Sequence, residues 1–145
     1  MPEVNNVASL RKWFRGCPAL SDDNRFRVDY MSDNPTEYAL YALPSAIEYR
    51  ENVLGEFIPK DEQTLEFIFA TKEVYGADER QNTENHGFFQ NVVDWIIQQN
   101  SARNFPDIRG GRVKSIVPTL TAYISQADAD SAKYQISIKL KYKLD

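Results

Sequence analysis

Cysteine and histidine are nearly missing from this chain, which has one of each, Cys17 and His86, among 145 residues. A lone cysteine cannot close a disulfide within the chain, and a lone histidine cannot anchor a histidine-rich metal site. No metal and no cofactor is therefore expected, and both residues read as packing groups. No apolar run reaches the length of about eighteen residues that a membrane-spanning helix needs. The opening MPEVNNVASLRKWF lacks the basic, apolar, small-residue order of a signal peptide, so the expected location is the cytosol and no membrane partner is foreseen. A basic excess is absent as well. With 17 Lys and Arg against 21 Asp and Glu, the net charge of −4 argues against a dedicated duplex-DNA binder, though it leaves room for a local basic face. There is no repeat, low-complexity tract or linker.

What is present suits one domain, because 145 residues with 42% hydrophobic content can bury a proper core. Val4, Val7, Leu10, Trp13 and Phe14 recur at helical spacing before Gly16 and Pro18, predicting a short amphipathic helix. RFRVDY (Arg25 to Tyr30) alternates as a half-buried strand does, and SDNPTE after it is turn chemistry. EYALYAL (Glu37 to Leu43) predicts a second strand, AIEYRENVL (Ala46 to Leu54) a third, and TLEFIFAT (Thr64 to Thr71) a fourth. The last two would form a hairpin with a long exposed tip, Glu56 to Gln63, in which Lys60, Asp61 and Glu62 are candidate partner-facing residues. Phe88, Phe89, Val92, Val93, Ile96 and Ile97 trace the apolar stripe of a central helix, with Asn82 or Thr83 as its N-cap. Val113 to Ser125 returns to strand character, interrupted by Pro118, which suits an edge or a bulge. The expected fold is α+β: a single domain with an antiparallel or mixed sheet, two main helices on one face and a long C-terminal β-hairpin.

Chemistry-bearing patterns are sparse. Gly110 and Gly111 between Arg109 and Arg112 offer the ingredients of an anion cradle, but they precede a strand and match no phosphate-binding loop, so an ordinary loop is the better reading. Asp128 and Asp130 have the spacing of some calcium loops without the further ligands or the glycine. His86 lies near Glu84 and Asp78 in sequence, yet no serine or cysteine nucleophile with a recognisable signature accompanies it. Trp13 and Trp95 occupy apolar helix positions and read as core. No catalytic residue is assigned, and the chain is not expected to be an enzyme.

The segment KYQISIKLKYKL, Lys133 to Leu144, alternates an apolar face (Tyr134, Ile136, Ile138, Leu140, Tyr142, Leu144) with a face carrying Lys139, Lys141 and Lys143. At about 3.3 Å per residue it would run roughly 40 Å, near twice a usual strand. An arm so long could leave its own sheet and add to a neighbour's. The lysines then face plain solvent, a carboxylate-rich subunit or tube surface, or the bore of a ring through which DNA passes.

Phe69-Ala70-Thr71-Lys72, the Tyr75-Gly76-Ala77-Asp78 turn, Asn82 and Asn85, and Gly87-Phe88 opening the helix resemble a known family. More loosely, so do Cys17-Pro18 and the hairpin from Thr121 to Tyr142. The family is the small tail terminator (minor capsid type) proteins of long-tailed bacteriophages and prophages of Gram-positive bacteria. The resemblance implies a single tail-terminator-like domain over residues 1–145 and a ring, usually hexameric, that caps the tail tube. Its partners would be further copies, the tail tube protein and a head-completion or neck protein, with non-specific DNA contact in the bore; it implies neither enzyme activity nor cofactor. Gly76 is expected to take a positive φ where strand turns to helix. The rival readings are a neck or head-completion protein of the same virion and, from another class, a nucleic-acid-binding module.

Overall fold

In the computed structural model, residues 4–31, 37–76, 78–127 and 131–145 are described, and Asp128 and Asp130 lie outside them. Alternation of apolar residues builds the strands β1 (Phe26–Val28), β2 (Tyr38–Ala42), β3 (Tyr49–Glu51), β4 (Phe57–Pro59), β5 (Glu62–Val74), β6 (Gly111–Ala127) and β7 (Ser131–Leu144). Helical periodicity builds α1 (Asn6–Phe14) and α2 (Glu79–Ala102). Five strands form a mixed sheet in the order β1-β2-β5-β7-β6, and β3 with β4 forms a separate two-stranded sheet. Among the described residues only β1 and β2 run parallel, with Phe26 beside Tyr38 and Val28 beside Leu40.

The expected C-terminal hairpin is the pairing of β6 with β7, but β7 is no overhanging arm. Its length is matched by β5 on one side, from Val74 with Ser131 to Glu62 with Lys143, and by β6 on the other. The long strand exists because three long strands form one blade, and its hydrogen bonds are met within the chain. At the sheet edge, β6 carries Pro118 beside a register shift, with further shifts along its length, which is where a missing N–H is tolerated.

Both helices pack on one face. Tyr134, Ile136, Ile138 and Leu140 of β7 and Phe67 and Phe69 of β5 are buried beneath Leu10 and Phe14 of α1 and Phe89, Val92 and Ile96 of α2. Phe14 stacks on Phe69 with ring centroids 5.0 Å apart. Trp13 sits against Trp95 and donates its indole N–H to the carbonyl of Asn104. Cys17 is buried in the same core, and burial pushes its thiol pKa up.

Three local expectations are corrected. Asp78, not Asn82 or Thr83, caps α2, accepting from the amides of Arg80 and Gln81. Asn82 sits one turn later and donates to the carbonyl of Gly76, while Asn85 is buried and donates to the carbonyl of Val74. Gly76 is outside the positive-φ region: side-chain bonds from the helix back to the strand end hold this turn. Ile97 is exposed, because one residue past Ile96 rotates about 100° out of the stripe.

Candidate functional site

The helix-free face of the sheet carries the lysines. In an antiparallel ladder, residues directly opposite share a face. Lys139 stands across from Glu66, Lys141 from Thr64 and Lys143 from Glu62 on β5, while β6 adds Arg112 opposite Lys143. Lys114 forms an ion pair with Glu62 at 3.5 Å, and Arg112 one with Asp145 at 3.7 Å. These pairs are exposed and individually worth little. Further along, Lys133 faces Lys72 and lays its ammonium 4.1 Å over the ring of Tyr41. Burial, then the nearby Lys72, lower the pKa of Lys133.

Lys60, Asp61 and Glu62 do not form a hairpin tip, because the chain turns back much earlier than the sequence suggests. The strand expected over Ala46 to Leu54 is split by a turn at Asn52–Gly55, so that Tyr49 pairs with Pro59 and Glu51 with Phe57. Asn52 makes the turn: its side-chain oxygen accepts from the amides of Leu54 and Glu56, and Gly55 takes φ +80°. Lys60 lies at the base and pairs with Glu48 at 3.4 Å, the carbonyl of Asp61 accepts from the amide of Leu144, and Glu62 begins β5. Gln63 is buried and clamps the base of the hairpin, donating to the carbonyls of Glu48 and Lys60 and accepting from the amide of Glu48. The hairpin is thereby aimed.

Its two faces differ. Tyr49 and Phe57 share one face, rings 6.4 Å apart, with Pro59 and Glu51 beside them; Glu48, Arg50 and Lys60 occupy the other, together with Ile58. Ile47, Tyr49, Val53, Leu54 and Phe57 are all exposed. By ladder alternation, Tyr49 and Glu51 direct their backbone groups away from β4, and among the described residues nothing pairs with them. An isolated two-stranded hairpin is marginal in water, and this one holds large apolar side chains in solvent.

Sequence reasoning missed this element. The signal was Asn52-Val-Leu-Gly55 between two short apolar runs, which fits a hairpin loop ending in a left-handed glycine.

The other candidates are structural. Gly110 takes φ +73°, and a Cβ at Gly111 would collide with the carbonyl of Lys143, so this pair serves the entry to β6. The amide of Arg109 donates to Asn6, and the carbonyl of Gly110 accepts from Asp145. His86 is exposed, with its ring edge-on to Tyr134; Glu84 pairs with Arg80, and Asp78 is occupied as a cap. These three do not assemble into an acid–base site. Among the described residues no helix is long and apolar enough to cross a membrane. Neither a protein family nor a curated protein matches this chain.

Proposed function

We propose that this chain is a non-enzymatic structural subunit of a long-tailed bacteriophage, a tail terminator. Copies close into a ring, hexameric in this reading, which caps the tail tube, ends its elongation and offers the surface for the head-completion or neck protein. Its place is the tail–neck junction of the virion, after assembly in the host cytoplasm.

The carrying observation is the amphipathic β3–β4 hairpin, clamped by Gln63 and holding Val53, Leu54 and Phe57 in solvent. Such a surface suits a subunit that another subunit completes. The motif residues behind the family resemblance also have a role in this fold, since Asp78, Asn82 and Asn85 build the junction between β5 and α2. The basic open face supports a second reading, a ring bore or module that touches nucleic acid, which predicts steeply salt-dependent binding to free DNA.

Light scattering of the protein alone and after incubation with purified tail tubes tests the main reading. The expected results are a closed oligomer and stoichiometric capping of tube ends. A chain that stays monomeric in both settings would sink it.

A further inference from the structure

The tip of the hairpin and a groove elsewhere on the chain have matching chemistry. The tip reads Glu51-Asn52-Val53-Leu54-Gly55-Glu56, with Val53 fully exposed, Leu54 79% exposed and a glutamate on either side. Asn52 locks its backbone, so little ordering remains to be done on binding. The groove, of about 410 Å³, lies where the end of α2, the loop after it, the start of β6 and the end of β7 meet; Arg103, Phe105, Arg112, Val113, Lys114 and Lys143 line it. Its two apolar side chains, Phe105 and Val113, are half-buried and ringed by four cations. Among the described residues its acidic contacts are Asp145 with Arg112 and Glu62 with Lys114, both exposed and weak.

We infer that the hairpin tip of one copy seats in this groove of a second copy. Val53 and Leu54 meet Phe105 and Val113, and Glu51 and Glu56 meet the cations. The inference rests on the ring reading and names the contact that builds the ring. The tip is not seated in its own chain's groove, since Val53 and Leu54 are exposed, while Glu62, at the hairpin's base, pairs with Lys114 of the groove; the hairpin itself is roughly 17 Å long, five residues at about 3.3 Å each. Tip and groove are unlike surfaces, so their contact is heterologous and repeats head to tail until it closes.

Two variants and their mixture test this by analytical ultracentrifugation. Val53→Asp with Leu54→Asp alters only the tip, and Arg112→Glu with Lys114→Glu only the groove. Each alone is expected to sediment as a monomer where the parent is a higher oligomer. Mixed, they are expected to give a one-to-one dimer and stop there, since such a pair retains one intact tip and one intact groove. Unchanged circular dichroism and melting temperature show that both are folded. As an independent check, Leu54→Cys with Phe105→Cys in a Cys17→Ala background should oxidise to a ladder of linked copies; a product linked only within one chain overturns the inference. A tip variant that keeps the parent's mass also overturns it and leaves the ring standing. A parent that is monomeric both alone and on tail tubes overturns both.

Discussion

At the scale of single residues, burial decides which side chains matter. Val92 and Ile96 are inaccessible to solvent at the centre of the stripe on α2. Ile96→Ala is expected to cost about 3 kcal/mol through lost transfer energy and a cavity, lowering the melting temperature by roughly 10 °C. Ile97→Ala, one residue on and exposed, should barely move it. Glu73 makes a different prediction. Burial raises its carboxyl pKa. A raised folded pKa means the folded state holds the proton more tightly, so stability falls as pH rises through the window just above the ordinary carboxyl range. Glu73→Gln should therefore melt higher than the parent at neutral pH, and the gap should close as pH drops below that range. The burial of Phe89, Val92 and Ile96 was legible from spacing alone. That of Asn85 was not, because a polar residue goes inside only where a partner waits, here the carbonyl of Val74, and spacing does not name partners.

At the scale of elements, long periodic segments were legible and short ones were not. α2 and β7 each carry enough repeats to establish a period, whereas β3 and β4 have three residues apiece: β3 merges with its turn into one apparent strand, and β4 reads as part of the loop after it. Gln63 anchors the hairpin in a way that can be tested. Gln63→Ala removes the side-chain donor of the Lys60 carbonyl, the acceptor of the Glu48 amide and one of the two donors to the Glu48 carbonyl, which keeps the amide of Lys60, and is expected to cost about 1 to 3 kcal/mol. Amide exchange measured residue by residue should quicken across Tyr49 to Pro59 before it quickens in β5 or β7. Equal loss of protection everywhere would mean that Gln63 supports the core instead of the arm.

At the scale of the whole molecule, the lysines that invited three destinations now have a setting. Lys139 stands across from Glu66, Lys141 from Thr64, and Lys143 borders the cationic groove. Changing Lys139, Lys141 and Lys143 to Gln should leave folding stability within about 1 kcal/mol. It should weaken self-association several-fold and flatten its salt dependence. Association untouched at every salt concentration would assign the stripe to plain solvent. Virions that assembled yet held or released DNA abnormally would assign it to a bore. Strand order is what the sequence hid at this scale, because pairing between distant segments leaves no periodic trace. The outcome is that β7, far from being an outlying arm, is the middle of the blade. That placement has a consequence for how the protein is made. On the ribosome β5 emerges long before β7, so one of its edges, with Phe67 and Phe69 nearby, must wait for a partner translated some sixty to eighty positions later, from Ser131 opposite Val74 to Lys143 opposite Glu62. Chains truncated before Ser131 keep an unpaired, aggregation-prone strand. Only a chain translated through β7 therefore closes both the sheet and the groove that Lys143 lines.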